Sequence, residues 1–224
     1  MPGHPRLASL ALYCAAMAVD QSALMTLIRA IGVDDAVALR LLATSPALAT
    51  AQVARGATRQ AATDYYLDAI AHYVYAGDTA LHVAAAAYRC EIAEKLIALG
   101  AGVQTRNRRG AEPLHYASDG MPGAPTWNPD AQAATIAILI AAGADPNAAD
   151  SNGMMPLHRS VRTRCAAAVE ALLAGGADAR AKNKSGSSPM QLATRNTGRG
   201  GSGAPEAKVQ QAEIVRLLEE ATGT

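Results

Sequence analysis

The sequence predicts an all-α solenoid of stacked helix-turn-helix units, with β-hairpin-like tips between units and a helical N-terminal cap. Three observations carry this. A phrase recurs as Gly77-Asp78-Thr79-Ala80-Leu81-His82-Val83-Ala84, Gly110-Ala111-Glu112-Pro113-Leu114-His115-Tyr116-Ala117, Gly153-Met154-Met155-Pro156-Leu157-His158-Arg159-Ser160 and Gly186-Ser187-Ser188-Pro189-Met190-Gln191-Leu192-Ala193, at offsets of 33, 43 and 33. A second marker, Leu99-Gly100-Ala101, Ala142-Gly143-Ala144-Asp145 and Gly175-Gly176-Ala177-Asp178, keeps the same offsets of 43 and 33. Finally, the 224 residues include 53 Ala and seven Tyr but one Trp and no Phe. Large rings normally fill the centre of a globule, so an alanine-rich interior suits helices packed closely in thin repeated layers. A repeated unit cannot bury its apolar face alone, and stacking creates the core.

Taken in order, residues 1–76 read as the cap, with one or two eroded units. Leu7 to Val19 is apolar, and Ala16-Met17-Ala18 could pass for a signal-peptidase site. The n-region is barely basic, which favours a helix of the mature chain and a cytoplasmic protein over secretion. Ser22 to Ile31 and Asp35 to Leu42 have helical periodicity with polar starts. Ser45-Pro46 is expected to open a helix through Val53, and Thr63-Asp64 to precede another through Val74. Tyr65, Tyr66, Tyr73 and Tyr75 read as packing within this cap.

The units then run 77–109, 110–152, 153–185 and 186–224. Pro113, Pro156 and Pro189 belong at a first helical position, where a missing N–H costs nothing. Gly100, Gly143 and Gly176 end second helices in the left-handed conformation. Asn107 to Gly110, Asp150 to Gly153 and Asn183 to Gly186 carry turn chemistry for the tips.

The period and the Thr/Pro-Leu-His-x-Ala phrase resemble the ankyrin repeat, and the resemblance covers Gly77 to Gly186 well with a degraded copy beyond. It implies that His82, His115 and His158 are structural residues that bond the hairpins. It further implies a protein-interaction scaffold, with a concave face of tips and first helices in which Val83, Tyr116, Arg159 and Leu192 select the partner. As a whole the chain is similar to small single-domain ankyrin proteins of bacteria.

Departures from the period point to a site. The 43-residue unit holds extra residues at 120–130, between its two helices, and the last unit holds a glycine-rich stretch at 197–205. Both interrupt the same turn and are expected on one edge. Arg162 and Arg195 are 33 apart and so equivalent, while Asp119 matches Arg162 in the unit before and is expected to pair with it. From Met154 to Ser202 there are eight Lys/Arg against two Asp/Glu, in a chain of net charge +1. Arginine suits bidentate recognition of carboxylate or phosphate, and a lone Trp is a frequent interface anchor. The candidate partner- or anion-binding residues are therefore Tyr116, Asp119, Trp127, Arg159, Arg162, Arg164, Arg195 and Arg199. The partner would be a protein with an acidic segment, or alternatively a small anion.

Other classes lose ground. Half the residues are hydrophobic and 17% charged, which excludes intrinsic disorder, and no apolar run reaches a membrane span. Cys14, Cys90 and Cys165 form an odd set without paired spacing, as in a reducing compartment. Gly198, Gly200 and Gly203 match G-x-G-x-x-G but lack the strand before it, so no nucleotide cofactor is expected. No metal-ligand spacing occurs. His115, Ser118 and Asp119 have no nucleophile elbow, so a hydrolase acting on an anionic substrate is the lesser reading and the chain is read as no enzyme. The basic patch is short and lacks interleaved aromatics, which speaks against nucleic acid.

Overall fold

The computed structural model describes residues 20–124, 126–195 and 205–223. Helix α1, Gln21–Val33, starts where the Asp20 carboxylate accepts from Ser22 N, and it buries Leu24, Leu27, Ile28 and Ile31 along one stripe. Helix α2, Asp35–Thr44, is capped by Asp34 through Val37 N and buries Ala38 and Leu42. These two helices form the first pair of the stack.

The next stretch departs from expectation. Ser45-Pro46 opens only one 3-10 turn, Pro46–Ala49, and the chain then extends. Val53 N donates to Asp78 O and Gly77 N to Val53 O, both at 2.8 Å, while Gln21 accepts from Ala54 N and donates to Gln52 O. The backbone groups that a helix through Val53 would need are thus already committed. At Gly56 a Cβ would meet Tyr75 and Ala76 backbone at 2.4 Å, so the extended segment passes where only glycine fits.

Residues 63–74 form no helix either. A 3-10 turn, Thr63–Tyr65, leads into strand β1, Tyr66–Leu67, and then a second 3-10 turn, Asp68–Ile70. Ala71 adopts the left-handed conformation at φ 49°, and strand β2, His72–Tyr73, returns antiparallel with Tyr66 opposite Tyr73. The aromatic residues here suit a pleated surface better than a helix, and the Tyr66 and Tyr73 rings pack with centroids 4.7 Å apart.

Four helix pairs follow: α3 (Ala80–Ala86) with α4 (Cys90–Ala98), α5 (Pro113–Ala117) with α6 (Pro129–Ala141), α7 (Pro156–Thr163) with α8 (Ala166–Ala174), and α9 (Pro189–Thr194) with α10 (Pro205–Thr222). First helices pack on first helices in the order α1, α3, α5, α7, α9, and second helices on second helices from α2 to α10. Two layers result, with Leu81, Leu96, Leu114, Ile136, Leu139 and Leu172 fully buried in the shared core. Fully buried Ala80, Ala84, Ala93, Ala117 and Ala168 let the layers approach closely. Gly100, Gly143 and Gly176 hold φ of 91°, 96° and 92° just after second helices, as their left-handed caps require. Among the described residues no helix is long and apolar enough to cross a membrane.

Three histidines lace the layers together. In each, Nδ1 accepts from the backbone N–H that starts its own helix (Thr79, Glu112, Met155). Nε2 then donates to a carbonyl of the next tip, Ala111, Met154 or Ser187, at 3.1 Å in all three cases. An imidazole that accepts at one nitrogen and donates at the other is neutral. Burial accordingly lowers all three, His115 to about 4.

Candidate functional site

First helices and tips share one side of the stack, and its N-terminal half is already covered. The hairpin of β1 and β2 lies over α3 and α5, with the His72 ring 4.5 Å from that of Tyr116. Tyr116 is buried, and its hydroxyl, 2.9 Å from both oxygens of buried Asp78, donates to that carboxylate. Asn107 Nδ2 donates to both Asp78 and Tyr116. Val83 is fully buried as well. The positions expected to select a partner are therefore interior on this half, and at Tyr116 the hairpin residue His72 supplies part of the cover.

The predicted arginines separate. Arg159, rather than Arg162, pairs with Asp119: its Nη1 lies 2.9 Å from Asp119 Oδ2 and its Nη2 2.9 Å from Asp150 Oδ2. Side-chain exposures of 11% for Arg159 and 4% for Asp150 show that this bracket is largely withdrawn from water. Asp150 is fixed in advance, since Asn152 and Met154 backbone N–H groups donate to its other oxygen. A pre-organised carboxylate at the neighbouring tip captures the guanidinium one turn before Arg162. Arg164 is a second correction. It is buried, ends α7 in the left-handed conformation at φ 64°, and donates at 2.8 Å to the carbonyls of Ala193 and Arg195. It thus satisfies the C-terminal end of α9 and is not offered to a ligand.

Arg195 is exposed. Arg199, with most of the 197–205 stretch, lies outside the described residues, as do Cys14 and Leu7 to Val19. The expected common edge of the two insertions therefore has one described member, the 120–130 stretch.

That stretch is anchored. Trp127 is half-buried, and its Nε1 donates to Gln132 Oε1 at 3.0 Å. Gln132, fully buried on α6, donates in turn to the carbonyls of Ala117 and Asp119. A Cβ on Gly120 would fall 2.5 Å from Cys165 Sγ and 3.1 Å from Trp127 Nε1, so glycine permits this close passage. Burial pushes the Cys165 thiol up to about 12, which leaves it unreactive at neutral pH.

Two clefts result. One, of 260 Å³, lies at the tips and is lined by Tyr75, Arg109, Asn152 and Arg162, with the Arg159 bracket beside them. The other, of 210 Å³, lies between the Ala69–His72 turn, Tyr88 and Trp127. His72, Tyr116 and Asp119 line both. Sequence reasoning missed His72, Tyr75, Tyr88 and Arg109. Arg109 had a signal, since it immediately precedes the tip glycine Gly110. Its Nη1 donates to Tyr75 OH at 2.9 Å and its guanidinium sits 4.8 Å from that ring's centroid, with Arg108 at 5.3 Å.

His115, Ser118 and Asp119 spend their bonds separately, on Met154 O, Leu114 O and Arg159, and do not form a relay. Among the described residues no group of three or more His, Cys, Asp or Glu could hold a metal ion.

Comparison with protein families bears on the whole arrangement. Residues 76–108 match the ankyrin repeat, spanning α3, α4 and the following tip, and residues 139–193 match ankyrin repeats in many copies. No curated protein matches the chain. Ankyrin repeats generally mediate protein–protein interaction. With the repeated phrase, the two helical layers and the histidine lacing, these matches identify the chain as an ankyrin-repeat protein.

Proposed function

We propose that the chain is a non-catalytic interaction module of the cytoplasm that receives an acidic segment of a partner protein at the tip cleft. The observation that carries this reading is that Arg109 and Arg162 line one cleft, between Tyr75 and Asn152. The Arg159 bracket holds its two aspartates together, and Arg109 and Arg162 bring two further guanidiniums to the cleft lining. Planar guanidiniums recognise carboxylates in bidentate fashion, and the stacked Tyr75 ring holds the Arg109 head group in place at low entropic cost. Free Cys90 and Cys165 support the reducing compartment.

An affinity capture from the native host tests this, comparing wild type with the double variant Arg109→Glu, Arg162→Glu at unchanged circular dichroism. The partner captured by wild type is expected to be lost from the variant. Equal recovery by both proteins would sink the assignment of the tip cleft.

A further inference from the structure

The β1–β2 hairpin is hydrogen-bonded to its surroundings at its ends only. There Ala57 N donates to Val74 O at 2.7 Å, Tyr75 N to Asp78 Oδ2 at 2.6 Å and Arg108 N to Ala76 O at 2.9 Å. Between these anchors, among the described residues, no hydrogen bond joins residues 66–73 to a helix of the stack. Packing holds them instead: Leu67 is buried, Ile70 meets the core, and the His72 ring lies on Tyr116. That packing is open on one flank, where the 210 Å³ cleft separates the Ala69–His72 turn from Tyr88 and Trp127. Ala71, at φ 49°, also keeps a left-handed conformation that a side chain disfavours.

His72 is the titratable group of this seat. Its Nε2 is enclosed without a hydrogen-bond partner, whereas the three lacing histidines bond at both nitrogens. Asp78 and His82 approach it from the start of α3, Tyr116 and Asp119 from α5 and the turn after it, and Arg159 from α7. Arg109, Asp150 and Arg162 line the adjoining tip cleft. Both near carboxylates are occupied, Asp78 by Tyr116, Asn107 and Tyr75 N, and Asp119 by Arg159.

We propose that the hairpin is a pH-released cover: when His72 takes up a proton, residues 66–73 lift from Tyr116 and the end of α1 while the helical layers stay folded. In the lifted form the charged ring is hydrated. In the closed form burial lowers His72, more than Asp119 and Asp78 raise it. The open form therefore binds the proton more tightly, and falling pH favours opening. The ratio of open to closed rises by up to about tenfold per pH unit below roughly 6.5. Opening uncovers Tyr116 and widens the tip cleft, which His72 also lines. It does not depend on which partner that cleft receives.

Trp127, the sole tryptophan of the chain, shares its cleft with the Ala69–His72 turn and reports the opening. In the full-length protein, acrylamide quenching of its emission should rise from pH 7 to pH 5 while far-UV circular dichroism stays constant. The fold also supplies a lock. A Cβ on Gly32, near the end of α1, would lie 3.9 Å from Ala69 Cβ, within the range of about 3.5–4.5 Å that a disulfide spans. In Gly32→Cys with Ala69→Cys the rise should be absent when the pair is oxidised and return on reduction. His72→Phe keeps a ring on Tyr116 but takes no proton, and it should stay closed at both pH values without a cross-link. No rise in the wild type, a rise only together with loss of the helix signal, a rise that persists in the oxidised lock, or one retained by His72→Phe would each overturn the proposal.

Discussion

The N-terminal and C-terminal halves of the stack differ although the same repeat builds both. On the N-terminal half, Val83 and Tyr116 are buried, and His72 of the β1–β2 hairpin packs on the Tyr116 ring. On the C-terminal half, the equivalent Arg159 is locked in a bracket at the edge of a cleft, and Leu192 is only partly buried. The repeated residues specify helices, caps and lacing, and these are alike in every unit. What covers each unit is set by residues outside the repeat, so equivalent positions end with different environments. A position in the repeat thus predicts a backbone location well and an exposure poorly.

The largest expected effect concerns what the halves share. His72, His82, His115 and His158 are all lowered in the fold by burial. A histidine whose folded pKa lies below its unfolded value binds fewer protons when folded. Its stabilising contribution is complete above about pH 6.5 and is lost as pH falls through the folded value. For His115 the window runs from about 6.5 down to about 4, with a slope of up to about 1.4 kcal/mol per pH unit. Melting curves should therefore fall steeply between pH 6.5 and 4 and be nearly flat from 7 to 8. A flat profile through pH 5 would mean that the lacing is not neutral imidazole.

Next in size is Arg164→Met, which takes the donor from Arg195 O and one of two donors from Ala193 O, where Gln211 Nε2 remains. Denaturant unfolding should show a loss of about 2 kcal/mol, since a buried unpaired group costs about 1–3 kcal/mol, and the damage should concentrate in the C-terminal half. Tyr116→Phe is the counterpart on the other side. It removes one of the donors to Asp78, leaving Asn107 Nδ2 and Tyr75 N, and a loss of about 1.5 kcal/mol is expected, with hydrogen exchange accelerated around the Asn107–Gly110 tip first. If Tyr116→Phe instead loosened α9, the two halves would not be separable in this way. The smallest effect is that of Arg195→Ala. Only its backbone carbonyl is used by Arg164, so the stability change should stay within about 0.5 kcal/mol.

Much of this was legible in the sequence. The paired markers gave the stack, the proline and glycine positions and the histidine roles, and the 43-residue offset located the Trp127 stretch. Residues 46–53 do not show their extended end in the sequence because its partners, Asp78 and Gln21, are distant in the chain, and residues 63–74 do not because strands of two residues leave no period to detect. The arginine cluster dissolved for a similar reason. Asp150 and the carbonyls of Ala193 and Arg195 come from neighbouring units, so composition could count the charges of Arg159 and Arg164 but not see them consumed. Only Arg162 and Arg195 keep edge positions among the described members, and Arg109, from a tip outside the basic stretch, joins Arg162.

The central claim is that recognition belongs to the tip cleft of Arg109 and Arg162 and not to basic charge in general. Fluorescence anisotropy with a labelled glutamate-rich peptide tests it most directly, comparing Arg109→Glu with Arg162→Glu in one protein against Arg195→Glu in another. The account predicts that the double cleft variant weakens binding at least tenfold while Arg195→Glu stays close to wild type. Equal weakening by the cleft and Arg195 variants, or none by either, would contradict it.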